Sequence, residues 1–151
     1  MLNKDYKDML RALNDEKVRF LLVGAYALAV HGYPRATMDI DIWVEPSSRN
    51  AAAVLRAIER FGAPLHQLNR EDLQCAGTVF QIGVAPRRID IITTASGLRF
   101  EDTFGRALRV MVEGLEVCVP MLDDLIKNKR ASGRTKDLAD AEALEALRRS
   151  G

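Results

Sequence analysis

Residues 20–44 read Phe20-Leu-Leu-Val23-Gly24-Ala25-Tyr26-Ala-Leu-Ala-Val30-His31-Gly-Tyr-Pro34-Arg35-Ala-Thr-Met38-Asp39-Ile40-Asp41-Ile42-Trp43-Val44. The apolar run from Val18 to Val23, broken only by Arg19, predicts a buried strand that stops at Gly24. Ala25 to His31 is a short alanine-rich helix, closed by Gly32 and Pro34. From Met38 the pattern alternates. Met38, Ile40, Ile42 and Val44 take one face, and Asp39, Asp41 and Trp43 the other. A strand, a glycine turn, a helix and a half-buried strand bearing D-x-D therefore follow one another.

Residues 4–16 place Tyr6, Met9, Leu10 and Leu13 on one helical face. Ser47-Ser48 can cap a helix running to about Arg60, with Ala53, Leu55, Ile58 and Phe61 for the core. Residues 62–76 are irregular. Strands at 78–84 and 88–94, joined by Ala85-Pro86-Arg87, read as a hairpin, and so do 107–112 and 115–119 around Glu113-Gly114. The tail is helical from about 121 to 131 and from 135 to 149, interrupted at Ser132-Gly133. The expectation is one α/β (α+β) domain over residues 1–151, a mixed β-sheet flanked by helices with a helical C-terminal tail.

The 151 residues are 48% apolar and 28% charged, which excludes a disordered or fibrous chain. Lys+Arg 22 against Asp+Glu 21 leaves a net charge of +1, so bulk charge drives no nucleic-acid or membrane affinity. Cys75 and Cys118 make no disulfide framework and no zinc spacing, and read as reduced thiols. No signal-peptide segment and no apolar run of membrane-spanning length is present, so a cytoplasmic protein is expected.

Chemistry concentrates on the carboxylates. Residues i and i+2 of a strand point the same way, about 6.5–7 Å apart, so Asp39 and Asp41 face one side. In Arg88-Ile89-Asp90-Ile91-Ile92-Thr93 the isoleucines at 89 and 91 take the core face and Asp90 the opposite one. If the two strands are neighbours, three carboxylates converge. Two unit charges 4 Å apart repel by about 4 kcal/mol at an effective dielectric near 20. A hard divalent cation reverses that sign, and Mg²⁺ is commonly held this way alongside substrate phosphates. Read singly, each aspartate is also an exposed charge at a strand edge. Gly24 adds a strand-to-helix turn where a phosphate can approach the backbone at Ala25 and Tyr26.

The motif of residues 20–44 resembles the first motif of the polymerase β-like nucleotidyltransferase superfamily. It looks most like the minimal nucleotidyltransferases related to AbiEii-type toxins and to the antitoxins that partner HEPN proteins. Asp90 matches the third carboxylate of that family. Leu125-Ile-Lys127-Asn-Lys129-Arg130-Ala-Ser-Gly-Arg134-Thr-Lys136-Asp137-Leu-Ala-Asp140 resembles its C-terminal segment. One position departs: Ala25 stands where the family has a second Gly or Ser, and alanine has no hydroxyl for a phosphate.

The resemblance implies transfer of a nucleoside monophosphate from a Mg²⁺-bound nucleoside triphosphate to a hydroxyl of RNA, protein or a small molecule, with a toxin–antitoxin setting as one context. Asp39, Asp41 and Asp90 would be catalytic and hold a two-metal Mg²⁺ site, with Asp90 also helping to deprotonate the acceptor. Gly24, Ala25, Lys129 and Asp137 would bind the nucleotide. Lys127, Arg130 and Arg134 at i, i+3, i+7 offer a further phosphate-binding face, or a solvated one balanced by nearby aspartates. Trp43 stacks a base or packs under a helix, and His31 is read as a cap or core histidine.

Other readings fit less. A nuclease leaves Gly24 without a role. A haloacid-dehalogenase-type phosphatase needs D-x-D on the first strand, and a glycosyltransferase needs a longer chain. The serious rival is a nucleotidyltransferase-fold binding module, such as an antitoxin subunit, that has lost turnover.

Overall fold

A computed structural model describes residues 2–34, 39–65, 67–84 and 87–151. Met38, the Arg35 part of the first motif and the Ala85-Pro86 turn lie outside these residues. Helix α1 spans Lys4–Asp15 and buries Tyr6, Met9, Leu10 and Leu13, the face expected from the spacing. Asn3 caps it, accepting the Tyr6 backbone N–H at 2.9 Å. Strand β1 (Phe20–Val23) is buried throughout and leads through Gly24 into α2 (Ala25–Val30). Strand β2 (Asp39–Val44) is followed by α3 (Ser48–Phe61), which Ser47 caps and Gly62 ends in the left-handed region.

A single 3₁₀ turn at Asp72–Gln74 interrupts the irregular stretch before β3 (Val79–Ile82), and β3 pairs antiparallel with β4 (Arg88–Ile92). Helix α4 (Phe100–Gly105) was not legible in the sequence. Strands β5 (Leu108–Val112) and β6 (Leu115–Val119) form the second expected hairpin. The tail comprises α5 (Leu122–Ser132) and α6 (Thr135–Ser150).

The main sheet has the order β1-β2-β4-β3. From β2 the chain crosses over α3 to the sheet edge, makes β3, and returns as β4 between β3 and β2. Strand β4 therefore runs parallel to β2, with Ile40 opposite Ile89, Asp41 opposite Asp90 and Ile42 opposite Ile91. The sheet is mixed, helices flank it, and its tail is helical, as expected.

Its two faces differ. Phe20, Leu22, Ile40, Ile42, Val44, Ile89 and Ile91 point into the main core with residues of α1 and α3. On the opposite face Leu21, Val23 and Trp43 join Ala95 and Phe100 in a smaller cluster. Trp43 is buried there, meeting Phe100 edge-on at 5.3 Å and 86°, a contact worth about 0.5–1.5 kcal/mol beyond area burial. This resolves its role as packing. α4 thus covers the apolar part of the second face, and the carboxylates occupy the remainder.

Candidate active site

Alternation along β2 puts Asp39 and Asp41 on the second face, and the parallel register brings Asp90 of β4 beside Asp41. One carboxylate oxygen from each of the three lies within 4.8 Å of the others. Asp39 and Asp41 are half-buried, and Asp90 is buried. The convergence expected if these strands were neighbours is present.

Gly24 follows the β1 residue Val23, which pairs with Asp41. Its φ of +70° lies where L-residues are strained, and a Cβ there would overlap Asp41 Oδ2. Glycine is thus required twice, by backbone conformation and by the approach of a carboxylate. Ala25 begins α2, and the Gly24 carbonyl accepts the Leu28 N–H at 3.2 Å.

Crowding sets the electrostatics. Burial first, then the charges of Asp39 and Asp90, push the Asp41 carboxyl up to about 7, and a hydrogen bond with Asp90 adds to the effect. At neutral pH Asp41 is therefore partly protonated.

Arg88 supplies the positive charge within this group. Its Nη2 donates to Asp39 Oδ2 at 2.6 Å and to Asp90 Oδ2 at 3.1 Å, and its Nε donates to Asp90 Oδ1 at 2.8 Å. The hydrogen bond and charge of Asp90, with the charge of Asp39 adding, hold the guanidinium above its ordinary value. Tyr6 Oη donates to the Arg88 carbonyl at 3.1 Å and fixes the backbone of this residue. Tyr6 meets Tyr26 edge-on at 5.8 Å. Burial, then the neighbouring Tyr26 and Asp39, push the Tyr6 phenol up to about 12, so it stays a donor. Sequence reasoning missed Arg88, although the signal existed: residues 88 and 90 of one strand share a face.

Lys129 and Asp137 come together between α5 and α6. Lys129 Nζ lies 3.5 Å from Asp137 Oδ1 and 3.6 Å from Asp140 Oδ2, and Arg134 Nε lies 2.7 Å from Asp137 Oδ2. Burial opposes the charge of Asp137, but Arg134 and Lys129 outweigh it and hold the carboxyl below its usual range. α5 is tied to the loop after β4, where Asn128 Nδ2 donates to Ser96 O at 3.0 Å.

The proposed face of Lys127, Arg130 and Arg134 is not a helix face, because α5 ends at Gly133 with φ +72°. Arg130 pairs instead with Glu145 at 2.6 Å. His31 is the C-cap residue of α2, in line with the cap or core reading, and its Nε2 lies 2.8 Å from Pro120 O.

Residues 1–149 match the family model described as "Nucleotidyltransferase of unknown function (DUF6036)". The chain belongs to this nucleotidyltransferase family. Among solved structures, this nucleotidyltransferase is similar to a candidate nucleotidyltransferase from Thermotoga maritima, with a TM-score of 0.59 and 17% identity over 100% of this chain and 97% of that one. At that identity the likeness concerns the fold. No curated protein matches the nucleotidyltransferase chain. Among its described residues no helix is long and apolar enough to cross a membrane.

Proposed function

We propose that this nucleotidyltransferase, as one domain over residues 1–151, moves a nucleoside monophosphate from a Mg²⁺-bound nucleoside triphosphate to an acceptor hydroxyl. The observation that carries the reading is the meeting of Asp39, Asp41 and Asp90 oxygens within 4.8 Å, beside Gly24. Three hard oxygen donors suit Mg²⁺.

In the reaction the acceptor oxygen attacks the α-phosphorus, the bond to the β-phosphate's bridging oxygen breaks, and pyrophosphate leaves. When bound, Mg²⁺ would neutralise triphosphate charge and acidify the acceptor hydroxyl. Asp39 and Asp41 would hold the cation and Asp90 would complete the site and take the acceptor's proton. Gly24 and Ala25 would let the triphosphate approach the backbone. Lys129 and Asp137 are carried as nucleotide-binding residues on the sequence resemblance, with Lys129 as countercharge.

RNA ends, a partner protein or a small molecule are the acceptor classes, and a toxin–antitoxin pair of the AbiEii or HEPN-partner kind is the proposed setting inside the cytoplasm. The second reading is a binding module without turnover, and the guanidinium already seated on Asp39 and Asp90 favours it. Incubation with each α-³²P nucleoside triphosphate, Mg²⁺, total RNA and lysate protein separates the two. Label on one acceptor class, lost in Asp41→Asn, supports transfer. Triphosphate binding with no labelled product supports the binding module.

A further inference from the structure

Arg88 occupies the place that the proposed function reserves for a cation. Three of its N–H vectors engage both oxygens of Asp90 and one oxygen of Asp39. A guanidinium and a divalent cation on the same carboxylates repel each other over a few ångströms, in a half-buried site where water screens poorly. The backbone of Arg88 does not yield, because it lies in β4 and Tyr6 holds its carbonyl. The side chain does have room to leave, being 32% exposed.

Building on the metal-site reading above, we propose that Arg88 is an exchangeable counterion. It neutralises Asp39 and Asp90 in the metal-free protein, leaves them when a divalent cation takes those oxygens, and then serves as a donor to the triphosphate. A planar fork that fits a carboxylate also fits a pair of phosphate oxygens. Cation binding and triphosphate binding thereby become linked through one side chain. Apo stability and cation affinity are set against each other by the same residue.

The linkage gives two effects of opposite sign, which a purely structural arginine does not produce. Removing the guanidinium should tighten the binary complex with Mn²⁺ and weaken triphosphate binding at saturating Mn²⁺. The test measures both affinities by titration calorimetry for wild type, Arg88→Met and the charge-retaining Arg88→Lys. It adds Mg²⁺ titration of ¹⁵N-arginine-labelled wild type, followed at the side-chain Nε–H resonances.

The expected results are Mn²⁺ binding at least about fivefold tighter in Arg88→Met, triphosphate binding weakened by a similar factor, and Arg88→Lys in between. In the wild type one protected Nε–H signal should shift and begin to exchange as Mg²⁺ is added. That measurement needs no variant, so the inference stays testable if Arg88→Met folds poorly. Wild-type Mn²⁺ binding with unchanged or weaker affinity in Arg88→Met, or no moving Nε–H signal, overturns the exchange while leaving the metal site standing. Mn²⁺ binding to neither protein overturns the metal-site reading itself and the exchange with it.

Discussion

Asp41 stands directly opposite Asp90 in the parallel register of β2 and β4, and the two carboxyls share a hydrogen bond. Because β4 is laid between β2 and β3, two aspartates 49 positions apart in sequence become cross-strand neighbours on one face. With the Asp39 charge added, the metal-free protein has a reason to keep a proton on Asp41.

The first prediction is a pH dependence. Asp41 titrates near 7 in the folded chain against 3.8 as its ordinary value. The folded state thus keeps a proton that the unfolded chain releases. This group's contribution is full below about pH 4 and is lost as pH rises to about 7, where it levels off. Asp41→Asn removes that slope. In EDTA the variant should melt above wild type at pH 8 by about 2–4 °C, corresponding to about 1 kcal/mol after allowance for partial exposure. At pH 5 the gap should shrink. Melts in EDTA across this range check the sign, and excess Mg²⁺ with triphosphate should narrow or invert the pH 8 gap.

Gly24→Ala should destabilise the chain by about 1–3 kcal/mol, since it combines a positive φ with a clash against Asp41 Oδ2. An Asp41→Ala background removes the Oδ2 and Cγ overlap and leaves the φ cost with a tight approach to the remaining Cβ, at 3.3 Å. Denaturant unfolding of the two single variants and the double variant should therefore show coupling, with the double variant less destabilised than the sum. Additive effects would mean that Gly24 matters only for its backbone.

Much of this architecture was legible because local patterns and global fold agree. The alternation of residues 39–44 carried the carboxylates to one face, Gly24 marked a turn that only glycine fits, and Glu113-Gly114 marked a hairpin. Helix α4 was not legible: it has six residues and no side-chain cap at Arg99, and Phe100 and Phe104 are too few to show a period. Trp43 shares the face of Asp41, yet Phe100 covers it, and alternation alone cannot say which part of a face another element covers. The contact between Arg88 and Asp39 was hidden for a related reason: it is set by cross-strand pairing, which no local window contains. The Lys127, Arg130 and Arg134 face failed because Gly133 changes the chain's direction before Arg134.

Lys129→Ala should lower stability by about 2–4 kcal/mol, because it leaves buried Asp137 and Asp140 with one lysine fewer between α5 and α6. Urea unfolding measures this, and calorimetry with triphosphate on the folded variant measures its proposed binding role. A stability loss with unchanged triphosphate affinity and unchanged salt dependence would confine Lys129 to holding the two helices together.

Trp43 is the chain's one tryptophan and is 1% exposed. Its fluorescence should be blue-shifted, resist acrylamide quenching, and stay unquenched when a nucleoside triphosphate is added. Strong quenching by nucleotide would restore Trp43 as a base-stacking residue.

Asp39, Asp41 and Asp90 are proposed to hold a metal–triphosphate complex beside Gly24. The most direct measurement is a crystal structure with Mn²⁺ and an α,β-non-hydrolysable triphosphate, read by anomalous scattering. An anomalous peak coordinated by oxygens of all three aspartates is expected, with the triphosphate against the Gly24-Ala25 turn. A triphosphate bound elsewhere, or a fully liganded crystal with no metal at the three carboxylates, would contradict it.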